Sequence, residues 1–366
     1  MRLWIVGGGT GGHVYPGLAV VQAIQNDIKS SATLIWVGGL GGMEAQLVER
    51  AGLPFLGIPA GGVHGVGVRR MVRNLGLLAQ GFVAAWREIS RARPAAILTT
   101  GGYVSMPVVV TAWLRHIPVL VFVPDIEPAL SVKLAGKLAT RIGVTVAESA
   151  SFFASRKVEV TGYPLRQEIV RWERTTGRRA LRLDADEPAL LVFGGSRGAR
   201  SLNRAVLAHL PALLAETQLV HISGDLGWEE VSQARQTLPV ELRARYHIFP
   251  YLYEKMGAAL AAADLVLSRA GASTLGEFPH FGLPALLVPY PYSWRYQQIN
   301  AEWLAEHGAA QVLPDAELQE RLMPLVQDLL HDEARRQAMS VAAQKLAYPR
   351  ASRRLAELLL ALGEEA

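Results

Sequence analysis

Two glycine-rich turns, each directly behind a short apolar run, constrain this chain more than any other feature. The first, GGGTGGH from Gly7 to His13, follows Leu3-Trp4-Ile5-Val6. The second, GGSRGAR from Gly194 to Arg200, follows Leu190-Leu191-Val192-Phe193. Each reads as a buried strand, a tight turn of residues without a Cβ, and a helix. Such a turn aims backbone N–H groups and the positive end of a helix at one spot, which suits a phosphate or a developing negative charge. Two of them in 366 residues imply two similar α/β domains facing each other across a cleft.

The rest of the chain keeps that rhythm. Apolar runs of strand length fall at 3–6, 33–37, 55–58, 96–99, 119–123, 142–144 and 158–160, with helical segments such as 17–25, 43–51 and 75–91 between them. A break follows over 161–179, where Gly162-Tyr163-Pro164 signals a turn and Arg171 to Arg179 reads as charged and irregular. The rhythm restarts at 189–193 and continues through 218–222, 246–249, 265–267, 285–288 and 310–313. Strands alternating with helices imply parallel sheets covered on both faces. The expected domains are 1–162 and 163–348, with a last helix near 349–366 that can return to the first.

Composition narrows the chemistry. Half the residues are apolar, which suffices for two cores, and no cysteine is present, so disulfides and thiolate-bound metals are excluded. The formal charge of +5 is mild, and no basic stripe interleaved with aromatics points to nucleic acid. Arg2 to Val6 is too short for an export core. Tyr103 to Pro124 is long and apolar, but Arg115 and His116 sit near its middle and Pro107 and Pro118 interrupt it. A charge at mid-bilayer costs about 2.5–3.5 kcal/mol on insertion scales, so the segment reads as a buried helix and a buried strand. Arg69, Arg70 and Arg73 beside Leu75, Leu77, Leu78, Phe82 and Trp86 suit either an anionic bilayer surface or an amphipathic core helix with a basic edge.

In open parallel sheets ligands bind beyond the carboxyl ends of the strands, so the loops after strands carry the candidates. Gly7, Gly9 and Gly12 satisfy the dinucleotide pattern, yet the second strand ends in Val37-Gly38-Gly39-Leu40 without the acid that would hold a ribose. His13, where the turn meets its helix, lies beside any bound anion and can exchange a proton near neutral pH. Ser196 and Arg197 occupy the matching turn of the second half; the serine suits a diphosphate or a helix cap. Ser268 to Ala301 sets a small-residue turn before a helix bearing Glu277, whose carboxylate can accept from both ribose hydroxyls, and continues to Gln297 and Asn300. Asp184-Ala185-Asp186 resembles a metal-holding pair but lies before a strand, at the wrong end of the sheet, and reads as a surface turn.

With GGTGGH, GGYVS, GYPLR, GGSRGAR, the Ser268 to Glu277 stretch, Gln297 and Asn300 in view, the chain resembles the MurG-type N-acetylglucosaminyltransferases over nearly its whole length. The resemblance implies a GT-B type fold of two Rossmann-like domains. The C-terminal half would take UDP-GlcNAc and the N-terminal half an undecaprenyl-pyrophosphoryl acceptor, at the cytoplasmic face of an anionic cell membrane. Carried over by motif, Thr10, Gly11 and Gly12 line the reacting centre, and Gly101, Gly102 and Tyr103 meet the acceptor. Arg166 and Ser196 meet the donor's diphosphate or sugar, and Leu252 packs near the uracil. Ala272, Ser273, Thr274, Leu275 and Gly276 offer backbone contacts, Glu277 holds the ribose, and Gln297 reaches the donor sugar. His13 is the candidate general base and Asp125 its alternative; neither metal nor cofactor is expected. One departure stands out: the family usually has His-Glu-Gln-Asn after the fifth strand, and this chain has Phe122-Val123-Pro124-Asp125. A related transferase with another acceptor, a UDP-sugar epimerase and a UDP-sugar sensor are the competing readings.

Overall fold

The computed structural model describes residues 1–62, 67–195, 198–293 and 295–365. The chain forms two compact units, Met1–Arg166 with Pro349–Ala366, and Gln167–Tyr348.

In the first unit seven strands form one sheet: β1 (Arg2–Gly7), β2 (Thr33–Gly39), β3 (Phe55–Ile58), β4 (Ala96–Gly101), β5 (Val119–Val123), β6 (Arg141–Val144) and β7 (Val158–Val160). The order is β3-β2-β1-β4-β5-β6-β7, and every neighbouring pair is parallel. The second unit carries β8 (Ala189–Phe193), β9 (Gln218–Ile222), β10 (Tyr246–Phe249), β11 (Leu265–Ser268), β12 (Ala285–Leu287) and β13 (Ala310–Val312), in the order β10-β9-β8-β11-β12-β13 and again all parallel. Both sheets are doubly wound and Rossmann-like. Strands buried on both faces must be apolar throughout, and Leu3 to Val6 and Leu190 to Val192 are each at most 1% exposed.

The strand order reverses between β1 and β4 in one sheet and between β8 and β11 in the other. Crossovers leave in opposite directions there, which opens a crevice above the carboxyl ends. Both glycine turns stand at these two points, behind β1 and behind β8.

Local contacts explain where the sequence reading was off. The helix Gly11–Gln22 starts inside the glycine turn and runs through Pro16, well before the expected start at 17. Glycine and proline oppose it locally, but burial of Val14, Leu18, Val20 and Val21 overrides that preference. Its approach to the sheet is close: a Cβ on Gly17 would come within 2.7 Å of the Trp36 ring, while the Trp36 indole donates to the Gly7 carbonyl at 3.0 Å. The charged stretch expected to be irregular contains the helix Arg174–Leu181, capped reciprocally by Glu173 and Thr176. Its Arg178 is 3% exposed, pairs with Asp264 at 2.7 Å and donates to the carbonyls of Asp184, Ala185 and Glu187. A buried guanidinium survives only when so paired. Asp184 in turn accepts the amides of Asp186 (2.9 Å) and Glu187 (3.2 Å), closing a surface turn.

Arg166 falls in the first unit, past the expected boundary at 162. Its guanidinium stacks over Tyr15, 4.0 Å from the ring centroid, and the neighbouring Leu165 carbonyl accepts the Ser352 hydroxyl at 2.9 Å. Ser352 belongs to the helix Ala351–Glu364, which buries Leu355, Leu359 and Leu362 and pairs Arg354 with Glu159 at 2.6 Å. The long apolar segment resolves into the helix Ser105–Leu114 and β5. Among the described residues no helix is long and apolar enough to cross a membrane.

Candidate active site

At the β1–β4 switch point the structure brings His13, Thr10, Gly11, Gly12, Gly101, Gly102 and Tyr103 to one edge. His13 lies in the first turn of its helix and is half-buried. Its Nδ1 is 3.2 Å from the Gly8 carbonyl oxygen and 3.3 Å from the Thr10 hydroxyl. A carbonyl only accepts, so Nδ1 carries the proton and Nε2 holds the basic lone pair. Burial lowers the imidazole's pKa below 6.5; the Gly8 hydrogen bond and the Glu44 charge pull the other way. The ring is held from the β4 side as well: a Cβ on Gly101 would sit 3.0 Å from Nε2. Gly102, at φ +92°, presses on the Gly8 carbonyl where no Cβ would fit. Ser105 donates to the Gly101 carbonyl at 2.8 Å and locks that second turn, leaving Tyr103 exposed beside it.

The loop after β5, the strand next to β4, holds Asp125, which is half-buried. Glu127, two residues further on, is paired with Lys133 at 3.3 Å. The residues that replace the family's His-Glu pair are not at the surface. Phe122 and Val123 end β5 with no exposure, and Phe122 packs edge-on against Tyr163, with ring centroids 6.0 Å apart.

In the second unit the turn behind β8 reaches Gly194, Gly195 and Gly198; Ser196, expected to meet the diphosphate, lies outside the described residues, as does Arg197. Behind the adjacent β11 the helix Thr274–Phe281 begins. Glu277 is half-buried, and its Oε2 accepts the Ser273 hydroxyl at 3.0 Å, which fixes the carboxylate near the helix start. The amides of Thr274, Leu275 and Gly276 donate within their own turn, to Gly271, Ala272 and Ser273. Leu275 and Thr274 are buried, the latter with its hydroxyl on the Gly271 carbonyl at 2.7 Å. These residues shape the turn, and Ala272 and Ser273 form its outer, half-buried rim. Gln297 accepts the Tyr290 amide at 2.9 Å through its carbonyl oxygen, so its NH₂ group is the end left to donate. Asn300 is buried and holds the Ala270 carbonyl at 3.2 Å. Leu252, behind the edge strand β10, is 7% exposed.

Two residues escaped the sequence reading. Arg269 is 6% exposed, pairs with Asp315 at 2.6 Å, and donates to Ser201 (2.7 Å) and the Val288 carbonyl (3.0 Å). It thereby ties together the segments behind β8, β11, β12 and β13. Its position inside SRAGAS was the available signal. Glu44 is the other: the sequence reading looked for an acid only at the end of the second strand, where none stands. It stands five positions beyond Gly39 and reaches back, accepting the Gly39 amide at 2.8 Å and the Gly9 amide at 3.1 Å.

This arrangement matches known proteins throughout its length. Residues 3–144 fit the glycosyltransferase family 28 N-terminal domain and residues 189–355 the glycosyltransferase family 28 C-terminal domain. The chain is 42% identical to the UDP-N-acetylglucosamine–N-acetylmuramyl-(pentapeptide) pyrophosphoryl-undecaprenol N-acetylglucosamine transferase of Roseiflexus sp., across 98% of this chain and 94% of that one. It is 38% identical to the protein of the same name in Desulforamulus reducens, across 96% of each. The crystal structure of Acinetobacter baumannii MurG is similar with a TM-score of 0.75 at 26% identity, covering 98% of this chain and 99% of that one.

Proposed function

This chain belongs to glycosyltransferase family 28, among its MurG-type N-acetylglucosamine transferases, and on that premise we propose how its residues divide the reaction. It is an N-acetylglucosaminyltransferase of the GT-B fold that moves GlcNAc from UDP-GlcNAc to undecaprenyl-pyrophosphoryl-MurNAc-pentapeptide in peptidoglycan synthesis. The observation that carries the assignment of roles is the orientation of His13, with Nδ1 on the Gly8 carbonyl and Nε2 as the basic nitrogen.

Nε2 of His13 takes the proton of the muramoyl C4 hydroxyl as that oxygen attacks the anomeric carbon. The bond from that carbon to the diphosphate breaks, the electron pair leaves with UDP, and the configuration inverts. Arg166, Ser196 and the amides of the second glycine turn offset the charge gathering on the diphosphate. Glu277 accepts from the ribose hydroxyls, Gln297 donates to the sugar, Leu252 lies against the base, and the turn Ala272 to Gly276 shapes the pocket wall. Thr10, Gly11 and Gly12 line the reacting centre, Gly101, Gly102 and Tyr103 meet the acceptor, and Asp125 is the alternative base.

The helix Val68–Arg91 supports a further part of the reading, contact with an anionic membrane surface on the cytoplasmic side. It buries Asn74, Gly81, Ala85 and Ile89, and turns Met71, Val72, Leu75, Val83 and Trp86 outward together with Arg69, Arg73 and Arg87. Apolar side chains edged by arginines favour a bilayer rich in anionic lipid. Sedimentation with anionic vesicles, and not with neutral ones, is the expected result; equal binding to both counts against it.

The test of the transfer is UDP release from UDP-GlcNAc with and without the muramoyl-pentapeptide lipid. Release that requires the lipid is expected, and release that ignores it defeats the reading. His13→Ala should lower kcat about 10²–10⁴-fold and leave UDP affinity in place. Matching losses in both would remove the base role.

A further inference from the structure

Glu44 opens the helix Glu44–Arg50 behind β2 and is 1% exposed. Its two carboxylate oxygens hold different loops. Oε1 takes the amide of Gly39, at the end of β2, and Oε2 takes the amide of Gly9, in the turn behind β1. The space around it is made by absent side chains: a Cβ on Gly8 or Gly42 would collide with the carboxylate, and one on Gly38 would lie 2.9 Å from its Cγ.

The Gly9 N–H belongs to the same peptide unit as the Gly8 carbonyl. That carbonyl receives the Nδ1 proton of His13 at 3.2 Å. One planar peptide therefore separates the carboxylate from the imidazole, donating to Glu44 at one end and accepting from His13 at the other. Hydrogen bonds in such a chain polarise one another: an N–H given to a carboxylate makes its carbonyl a better acceptor. Rotation of this peptide would take the acceptor away from Nδ1 and free the imidazole to change tautomer.

We propose that Glu44 is a positioning residue for the transfer, fixing the Gly8–Gly9 peptide and through it the His13 tautomer whose Nε2 is basic. It plays toward the histidine the part a directly bonded carboxylate plays in a hydrolase triad, with a backbone peptide inserted between. The Gly9 amide, engaged by Glu44, is withdrawn from any substrate phosphate at this turn. The inference rests on His13 as the general base.

The test is a kinetic comparison of the full chain with Glu44→Gln, using UDP-GlcNAc and the lipid acceptor. A glutamine presents an NH₂ to one of the two amides, so one loop is released. The expected result is a kcat lower by about 10- to 100-fold, as for a small misplacement of a reacting group, with KM for UDP-GlcNAc and UDP affinity unchanged. A pH profile separates positioning from mere support. Among the described residues, the titratable groups on the elements next to His13 include Tyr15 on its own helix, Arg166 stacked on Tyr15, Tyr103 two residues past Gly101, and Glu44; of these, Glu44 is the one whose charge raises the imidazole's proton affinity. Without that charge the acid limb of kcat should move to lower pH, because the base stays unprotonated further down. Gly42→Ala, which pushes on the same carboxylate, should move kcat and the acid limb in the same directions and serves if Glu44→Gln does not fold. An active wild type with an impaired His13→Ala, beside a variant whose kcat or acid limb stays at the wild-type value, overturns the role of Glu44. A wild type that releases no UDP with acceptor overturns the transferase reading instead.

Discussion

Two histidines show how burial and partners decide what a residue can do. His13 is half-buried at a sheet edge with one nitrogen committed and the other basic, which suits proton transfer. His221 is fully buried in β9, where burial pushes its pKa down to about 3. Asn203 donates through Nδ2 to the Ser223 carbonyl at 2.9 Å, so its Oδ1 must accept from His221 Nε2 (3.1 Å), and Nδ1 then accepts the Tyr246 hydroxyl at 2.8 Å. The unfolded chain gains this proton near pH 6.5, whereas the folded chain resists until about pH 3. As pH falls through that window the second unit should lose about 1.4 kcal/mol per pH unit from this group. Urea unfolding at several pH values checks it; His221→Gln should flatten the slope, and an unchanged slope would place the acid sensitivity elsewhere. At the donor side, Glu277→Ala should weaken UDP binding by about 2 kcal/mol, the loss of charged hydrogen bonds to the ribose. Titration with UDP and with its 2′-deoxy form tests this. The deoxy form should discriminate against the wild type only, and equal discrimination in both proteins would remove the ribose assignment. The positions of His13 and Glu277 were legible because each sits at the junction of a turn and a helix. Glu44 was not, because its function depends on a side chain reaching back across a loop.

At the level of elements, the alternation of apolar runs and helical segments was enough to place the strands. A parallel strand buried on both faces leaves an uninterrupted apolar run, which few other structures require. Helix starts were harder to read. The helix Gly11–Gln22 begins among glycines, and Arg174–Leu181 is rich in charge; both are stabilised by contacts with distant segments. Glycines at turns mark the places where backbones meet. Gly102 combines a φ of +92° with the Gly8 carbonyl lying where a Cβ would be. Gly102→Ala should therefore strain the turn by about 1–3 kcal/mol, move the Gly8 carbonyl and lower turnover, while leaving UDP affinity untouched. Steady-state kinetics beside a UDP titration would check this, and a variant with normal turnover would show that the two turns do not depend on one another.

At the scale of the whole molecule, the chain leaves its first unit after Arg166 and returns to it at Pro349. The last helix is part of that unit's core: Leu355 and Leu359 have no exposure, and Leu355 fills the space above Gly143. Leu359→Ala should cost about 2–5 kcal/mol and lower the melting transition of the first unit. Calorimetry with and without UDP can assign the transitions. The nucleotide should raise the transition that the mutation leaves alone, and a shift of the other one would contradict donor binding by the second unit. The sequence by itself determined the class of fold, its division into two parallel sheets and the glycine turns behind their strands, because burial on both faces and glycine turns leave local marks. Only the tertiary structure decided which acid serves the first turn, which nitrogen of His13 is basic, and that Phe122 and Val123 are core. Those outcomes depend on hydrogen bonds and packing between segments far apart in the chain, and no local pattern records such pairings.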